Sequence, residues 1–194
     1  MAYLLVITLA YLVGSFPTGV FISKRKYGLD VREVGSGNIG ATNVTRIFGW
    51  YAGLLVFLID LAKGALPLLI VRFFYPESTW LQSFCGVSVV LGHCFSLFLG
   101  FKGGKGVATS LGCILVVLPG CALLCGGIYL VFLKLSRISA VGSLAGVMSC
   151  FLYLVFQWPG LPLGTLIITL CVIILVRHYE NLIRLRSTLL RQNP

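Results

Sequence analysis

Three glycine-rich polar stretches hold most of the residues in this chain that could do chemistry. The first reads Gly35-Ser36-Gly37-Asn38-Ile39-Gly40-Ala41-Thr42-Asn43, with Arg46 following. The second is Lys102-Gly103-Gly104-Lys105-Gly106, and the third Arg177-His178-Tyr179-Glu180-Asn181. Residues without a Cβ let backbone amides come close to an anion. A helix starting between Asn38 and Thr42 would add the positive end of its dipole. Thr42, Asn43 and Arg46 then share a helical face, and Ser36 adds a hydroxyl. Lys102 and Lys105 stand at the start of another helix. His178 and Asn181 are three apart on one face, and His178 can donate, accept or titrate near neutrality. These residue types together describe an anion site, phosphate in the first place.

Other chemistries fit less well. Gly35-x-Gly37-x-x-Gly40 matches the dinucleotide fingerprint in letters only, because no strand precedes it. Lys105-Gly106 lacks the Ser or Thr that a phosphate-binding Walker loop carries after its lysine. The seven cysteines lie in apolar runs without Cys-x-x-Cys spacing and read as small packing residues. No metal, cofactor or nucleic-acid partner is expected. Neither histidine has an aspartate five residues later, since Phe98 and Ile183 stand there. No Ser-His-Asp order suggests itself. Ser143, just inside an apolar span near Arg137, could face the same crevice as the third stretch, and helix packing among Gly142 and Gly146 is at least as good an explanation. His93 is read a few turns deep in an apolar span, open between a core hydrogen bond and a lining role. Asp60 and Lys63, one turn apart in another span, are read as a pair, because lone charges at that depth are costly.

The elements that must position these residues are membrane helices. The chain has 194 residues, is 58% hydrophobic and only 10% charged, and its mean hydropathy is +1.02. Soluble domains carry about a quarter charged residues. The apolar runs are long and non-alternating, which selects helices over barrel strands. The expected architecture is all-α, a single integral membrane domain over residues 1–194 with seven transmembrane helices. The spans are Ala2–Ser23, Tyr51–Phe74, Leu81–Leu99, Val107–Leu118, Cys121–Leu133, Ser139–Gln157 and Leu161–Val176. The first is read as a retained span, not a signal peptide. A turn at Pro119-Gly120 puts 13 of the 15 lysines and arginines on one side, leaving Lys63 and Arg72 inside the second span. The positive-inside rule then sets the N-terminus outside and the C-terminus in the cytoplasm. Beyond Arg177, leucines interleave with arginines, consistent equally with an amphipathic surface segment or a solvated end.

The segments GSGNIGATNVTR, GHCFSLFLGFKGGKGVATSLG and RHYENLIRL closely resemble the three signature regions of the bacterial acyl-phosphate:glycerol-3-phosphate acyltransferases. One departure is Arg186-Ser187-Thr188-Leu189, where the family often carries Gly-x-Glu. The resemblance implies a multi-pass enzyme of the bacterial inner membrane with its active site at the cytoplasmic face, working as a monomer without a cofactor. It would transfer an acyl group from acyl phosphate to the sn-1 hydroxyl of glycerol 3-phosphate. Lysophosphatidic acid and inorganic phosphate would result, opening phospholipid synthesis. Arg46, Lys105, Ser36, Ser143, His178 and Asn181 are expected on phosphate oxygens. Backbone donors of Gly37–Asn43 and Gly103–Lys105 would face the oxyanion or leaving phosphate. Gly37, Asn38, Gly40, Thr42, Asn43, His93, Gly103 and Gly104 complete the expected binding surface. Ser36, Lys105 and His178 are the expected catalytic residues, His178 rivalling a substrate phosphate as proton acceptor. A small anion transporter or channel is the competing class and a non-catalytic lipid-binding scaffold a third; the first predicts polar lining through the full depth.

Overall fold

The structure is a computed structural model, and it describes residues 2–179, 181 and 183. The described residues form helices and turns and no strand: α1 (Ala2–Ser15), α2 (Thr18–Tyr27), α3 (Ala41–Phe48), α4 (Trp50–Phe74), α5 (Thr79–Cys94), α6 (Val107–Val117), α7 (Pro119–Ser136), α8 (Ser139–Phe156) and α9 (Leu161–Arg177). The basic tail, including the Arg186–Leu189 departure, lies outside the described residues except for Asn181 and Ile183.

The expected first span, Ala2–Ser23, is two helices. Pro17 has no amide to donate, so α1 ends at Ser15 and α2 restarts at Thr18. The break leaves the Phe16 carbonyl without a helical partner, and the Lys63 ammonium donates to it at 2.9 Å. Lys63 also pairs with Asp60 at 2.8 Å, as expected, and Asp60 accepts the Thr18 hydroxyl at 2.8 Å. The buried pair therefore braces the proline break from α4.

The expected third span, Leu81–Leu99, also ends early. α5 stops at Cys94, and a 3₁₀ turn occupies Leu97–Leu99. The chain folds back so that Gly103 and Gly104 donate their amides to the carbonyls of Cys94 and His93, each at 3.0 Å. His93 thus stands in the last turn of α5, not several turns deep.

Among the described residues, five helical stretches are long and apolar enough to cross a membrane: Ala2–Tyr27, Trp50–Phe74, Thr79–Leu99, Pro119–Ser136 and Ser139–Phe156. α6 and α9 are apolar but shorter. At 1.5 Å per residue, the 11 residues of α6 reach only about half the hydrocarbon thickness. The Arg72 guanidinium of α4 donates to the Val116 carbonyl near the end of α6. The charge left inside the second span thus satisfies a helix terminus.

α1 packs on α5, α4 on α6, α7 on α8 and α5 on α9. The large core runs through α5 to α9, with Val89, Val90, Leu166, Ile167 and Leu170 wholly or nearly wholly enclosed. A second, smaller core of Val20, Ile22, Val31, Ile39, Val44 and Val56 sits under the loop between α2 and α3. At one end of the bundle, Tyr3 meets Ser78 at 3.2 Å and Ser83 donates to the Pro162 carbonyl at 2.8 Å. At the other, Thr42 meets Ser139 at 3.0 Å and Lys105 donates to Asn181. The three polar stretches converge at that second end.

Candidate active site

A cavity of about 1050 Å³ opens between α3, α4, α6, α7 and α8 and reaches the ends of α5 and α9. Its walls fall into two zones. Arg46, Lys105, Arg137 and Arg177 make one end basic, with the His178 imidazole beside them. Leu111, Ile114, Leu115, Leu123, Leu130 and Val147 make the branch along α6, α7 and α8 apolar. Every site residue expected from the sequence lines this cavity except Gly104.

The first stretch is shaped by Asn43. Its side-chain amide donates to the carbonyls of Val31 and Val34 at 3.2 and 3.1 Å. Its oxygen accepts the Ser36 amide at 2.9 Å. Asn43 is 2% exposed, and these bonds occupy the groups that were expected to hold a ligand. It is a loop organiser, one position off the exposed face of α3 that carries Thr42 and Arg46. Further amides are used internally: Gly37 donates to Val34 at 3.1 Å and Gly40 to the Asn38 side chain at 2.8 Å. Gly37 has φ +71°, which only glycine adopts readily. The expected row of ligand-facing donors thus shrinks toward the amides of Ala41 and Thr42 at the start of α3, since those of Asn43 and Val44 already donate to the Gly40 carbonyl at 3.1 and 3.3 Å. Thr42 ties that helix to α8 through the Ser139 hydroxyl, which also meets Tyr129 at 3.1 Å.

The second stretch is pressed against α5. A Cβ on Gly103 would lie 2.1 Å from the His93 carbonyl oxygen, and one on Gly104 would lie 2.2 Å from His93 Nε2. What these glycines approach closely is the protein's own helix end. Their amides serve His93 and Cys94, which corrects the expected oxyanion role. Gly104 packs behind the wall. Arg177 straps the loop from α9: Nε donates to the Gly104 carbonyl at 3.0 Å and a terminal nitrogen to the Gly103 carbonyl at 2.9 Å. The guanidinium also stacks over the Phe95 ring at 5.3 Å. Lys105 follows directly and donates to the Asn181 side-chain oxygen.

The third stretch begins where α9 ends. His178 is 2% exposed, and its Nδ1 lies 2.9 Å from the Ile174 carbonyl. A carbonyl only accepts, so Nδ1 carries the hydrogen and Nε2 keeps the lone pair. Burial lowers the pKa of His178 from its ordinary 6.5; the Ile174 bond opposes this and the Lys105 charge adds to it. Ser143 lines the cavity while its hydroxyl donates back to the Ser139 carbonyl at 3.0 Å, leaving its lone pairs available.

Several lining residues were not picked out from the sequence. Arg137 and Arg177 were given no role there, Arg177 only a place in the third stretch, and the one-sided charge count was the signal that could have found them. Asp60 was read as structure alone. Ser110 and Tyr129 carry no sequence signal, because isolated polar residues in apolar helices usually mean packing. The thiols also converge more than expected. Cys121, Cys125 and Cys150 bring three sulfurs within 4.8 Å of one another, and Cys125 and Cys150 border the apolar branch. They are the one group of thiols, imidazoles or carboxylates among the described residues placed to hold a metal ion.

The model of the family described as Glycerol-3-phosphate acyltransferase matches residues 4–188. A glycerol-3-phosphate acyltransferase of Aquifex aeolicus is 42% identical over 187 residues, covering 95% of this chain and 96% of the relative. One from Thermus thermophilus is 43% identical over 180 residues, covering 92% and 89%. The crystal structure of PlsY (YgiH), an integral membrane glycerol 3-phosphate acyltransferase, superposes in its glycerol 3-phosphate form with a TM-score of 0.92. Sequence identity there is 40%, over 97% of this chain and 94% of that one. Its lysophosphatidic acid form gives 0.90 at 39% identity. The chain belongs to the glycerol-3-phosphate acyltransferase family.

Proposed function

We propose that this member of the glycerol-3-phosphate acyltransferase family takes its acyl group from acyl phosphate and passes it to the sn-1 hydroxyl of glycerol 3-phosphate. One observation carries the reading. A single cavity joins a basic end, where Arg46, Lys105 and Arg177 gather, to an apolar branch along α6, α7 and α8. Two phosphorylated reactants fit the first zone and an acyl chain the second.

The reaction needs positioning and charge stabilisation more than a protein nucleophile, because a mixed anhydride already carries a good leaving group. The hydroxyl oxygen attacks the acyl carbon and an ester bond forms. The bond from that carbon to the bridging oxygen breaks, and phosphate leaves with the electron pair. The hydroxyl proton passes to a phosphate oxygen, or to Nε2 of His178, whose lone pair the Ile174 bond leaves in place. Lys105, Arg46, Ser36, Ser143 and Asn181 bind phosphate oxygens. No covalent acyl-enzyme forms.

We place seven crossings in the bacterial inner membrane, the N-terminus outside and the basic end of the cavity in the cytoplasm. Thirteen of the 15 basic residues support this sidedness. The active unit we propose is a monomer. A full-depth transport path is not favoured, because charge gathers at one end of the cavity and its other branch is apolar.

Lys105→Ala in purified, monodisperse protein is expected to cut acyl transfer by at least about a thousandfold, mostly in kcat. A near-normal rate would remove the phosphate-binding role from the basic end.

A further inference from the structure

We propose that Asp60, His93 and Ser110 form a hydroxyl-recognition subsite on the cavity floor, which reads the glycerol backbone of the acceptor, not its phosphate. This rests on the acyltransferase reading above and assigns a task to groups that reading leaves unused.

All three residues line the cavity, and all are deeply buried: Asp60 is 2% exposed, His93 4% and Ser110 1%. His93 Nδ1 and Ser110 Oγ have no hydrogen-bond partner. Each such buried orphan costs about 1–3 kcal/mol, so two beside one cavity call for a partner arriving from it. His93 faces Asp60, and α4 and α6 pack closely where they carry Asp60 and Ser110. Gly104 packs on the His93 ring, and Gly64, one turn from Asp60, packs on the Thr109 backbone beside Ser110.

The distances suit a hydroxyl. His93 Nδ1 lies 3.8 Å from Asp60 Oδ1, beyond hydrogen-bond range. An oxygen at about 2.8 Å from both atoms closes a triangle on that edge, donating to one and accepting from the other. Charge argues the same way. A carboxylate repels a phosphate, and Asp60 is already paired with Lys63 and bonded to Thr18. The floor suits a neutral polar group, while the cations gather at Arg46, Lys105 and Arg177. A glycerol phosphate offers that pattern: an anionic end, a reacting primary hydroxyl at the opposite end, and a secondary hydroxyl on the carbon between them.

The test compares glycerol 3-phosphate with 3-hydroxypropyl phosphate, which keeps the phosphate and primary hydroxyl but lacks the secondary hydroxyl. Both are assayed with palmitoyl phosphate as donor. Wild type is expected to favour glycerol 3-phosphate in kcat/KM by about 100-fold or more, since a site built to bond a hydroxyl rejects the analogue lacking it. Ser110→Ala and His93→Phe should each shrink the preference below about tenfold, by losing rate on glycerol 3-phosphate and holding the analogue's rate within about threefold. Ser110→Ala removes one oxygen and decides the matter alone if His93→Phe fails to fold. Equal wild-type rates on both acceptors, or variants that keep the full preference, overturn the subsite while leaving the acyltransferase reading intact. Absence of any transfer to glycerol 3-phosphate by folded wild type overturns that reading, and the subsite with it.

Discussion

His178 and Asn43 do different work from similar positions at the edge of the cavity. His178 is held neutral with a free Nε2 lone pair, because burial lowers its pKa below 6.5 and its Nδ1 hydrogen is committed to Ile174. The sign follows directly. The unfolded chain takes up this proton more readily than the folded one, so the folded state loses stability as pH falls below 6.5 toward the depressed value. His178→Asn should flatten that loss: between about pH 7.5 and 5.5 the wild-type melting temperature should drop further than the variant's. Parallel curves would mean that the imidazole is not buried in the neutral form. Asn43 binds three backbone groups of the preceding loop, so Asn43→Ala should destabilise by about 2–4 kcal/mol and raise KM for glycerol 3-phosphate. A thermal midpoint unchanged from wild type would place the loop's support elsewhere.

Between elements, the contact that matters most joins α5, the Gly103-Gly104 turn and α9. The turn gives its amides to the end of α5 and its carbonyls to Arg177, and Lys105 is aimed by what remains. Arg177→Lys keeps the charge but cannot make two parallel bonds to two carbonyls. It should therefore lower kcat/KM by about tenfold or more while Lys105 itself is untouched. Wild-type kinetics in Arg177→Lys would show that the strap does not position Lys105. The turn is also where sequence reasoning went astray. Glycines flanking a lysine suggest close approach to a ligand, and the close approach is real, but its object is His93. Residue types report that space is tight without saying what fills it. For the same reason the break at Phe16-Pro17 was missed. The residues from Ala2 to Ser23 are apolar enough to read as one span, and the ion pair that braces the break lies more than forty residues away in the chain.

Across the whole molecule, distribution was more legible than detail. One-sided charge, long apolar runs and three polar stretches led to a helical membrane protein with an anion site at one end. The structure brings those stretches to one cavity at one end of the bundle. The polar floor and the thiol group were not legible, because each assembles across separate helices, the floor from α4, α5 and α6 and the thiols from α7 and α8, and uses residues that usually mean packing. The central claim is that this one cavity couples acyl transfer to phosphate release. It is tested most directly by measuring phosphate liberated from palmitoyl phosphate by purified protein, with and without glycerol 3-phosphate. Release that requires glycerol 3-phosphate and matches 1-acyl-glycerol 3-phosphate mole for mole is the predicted result. Release at the same rate without the acceptor, or none from folded protein with both reactants present, would contradict it.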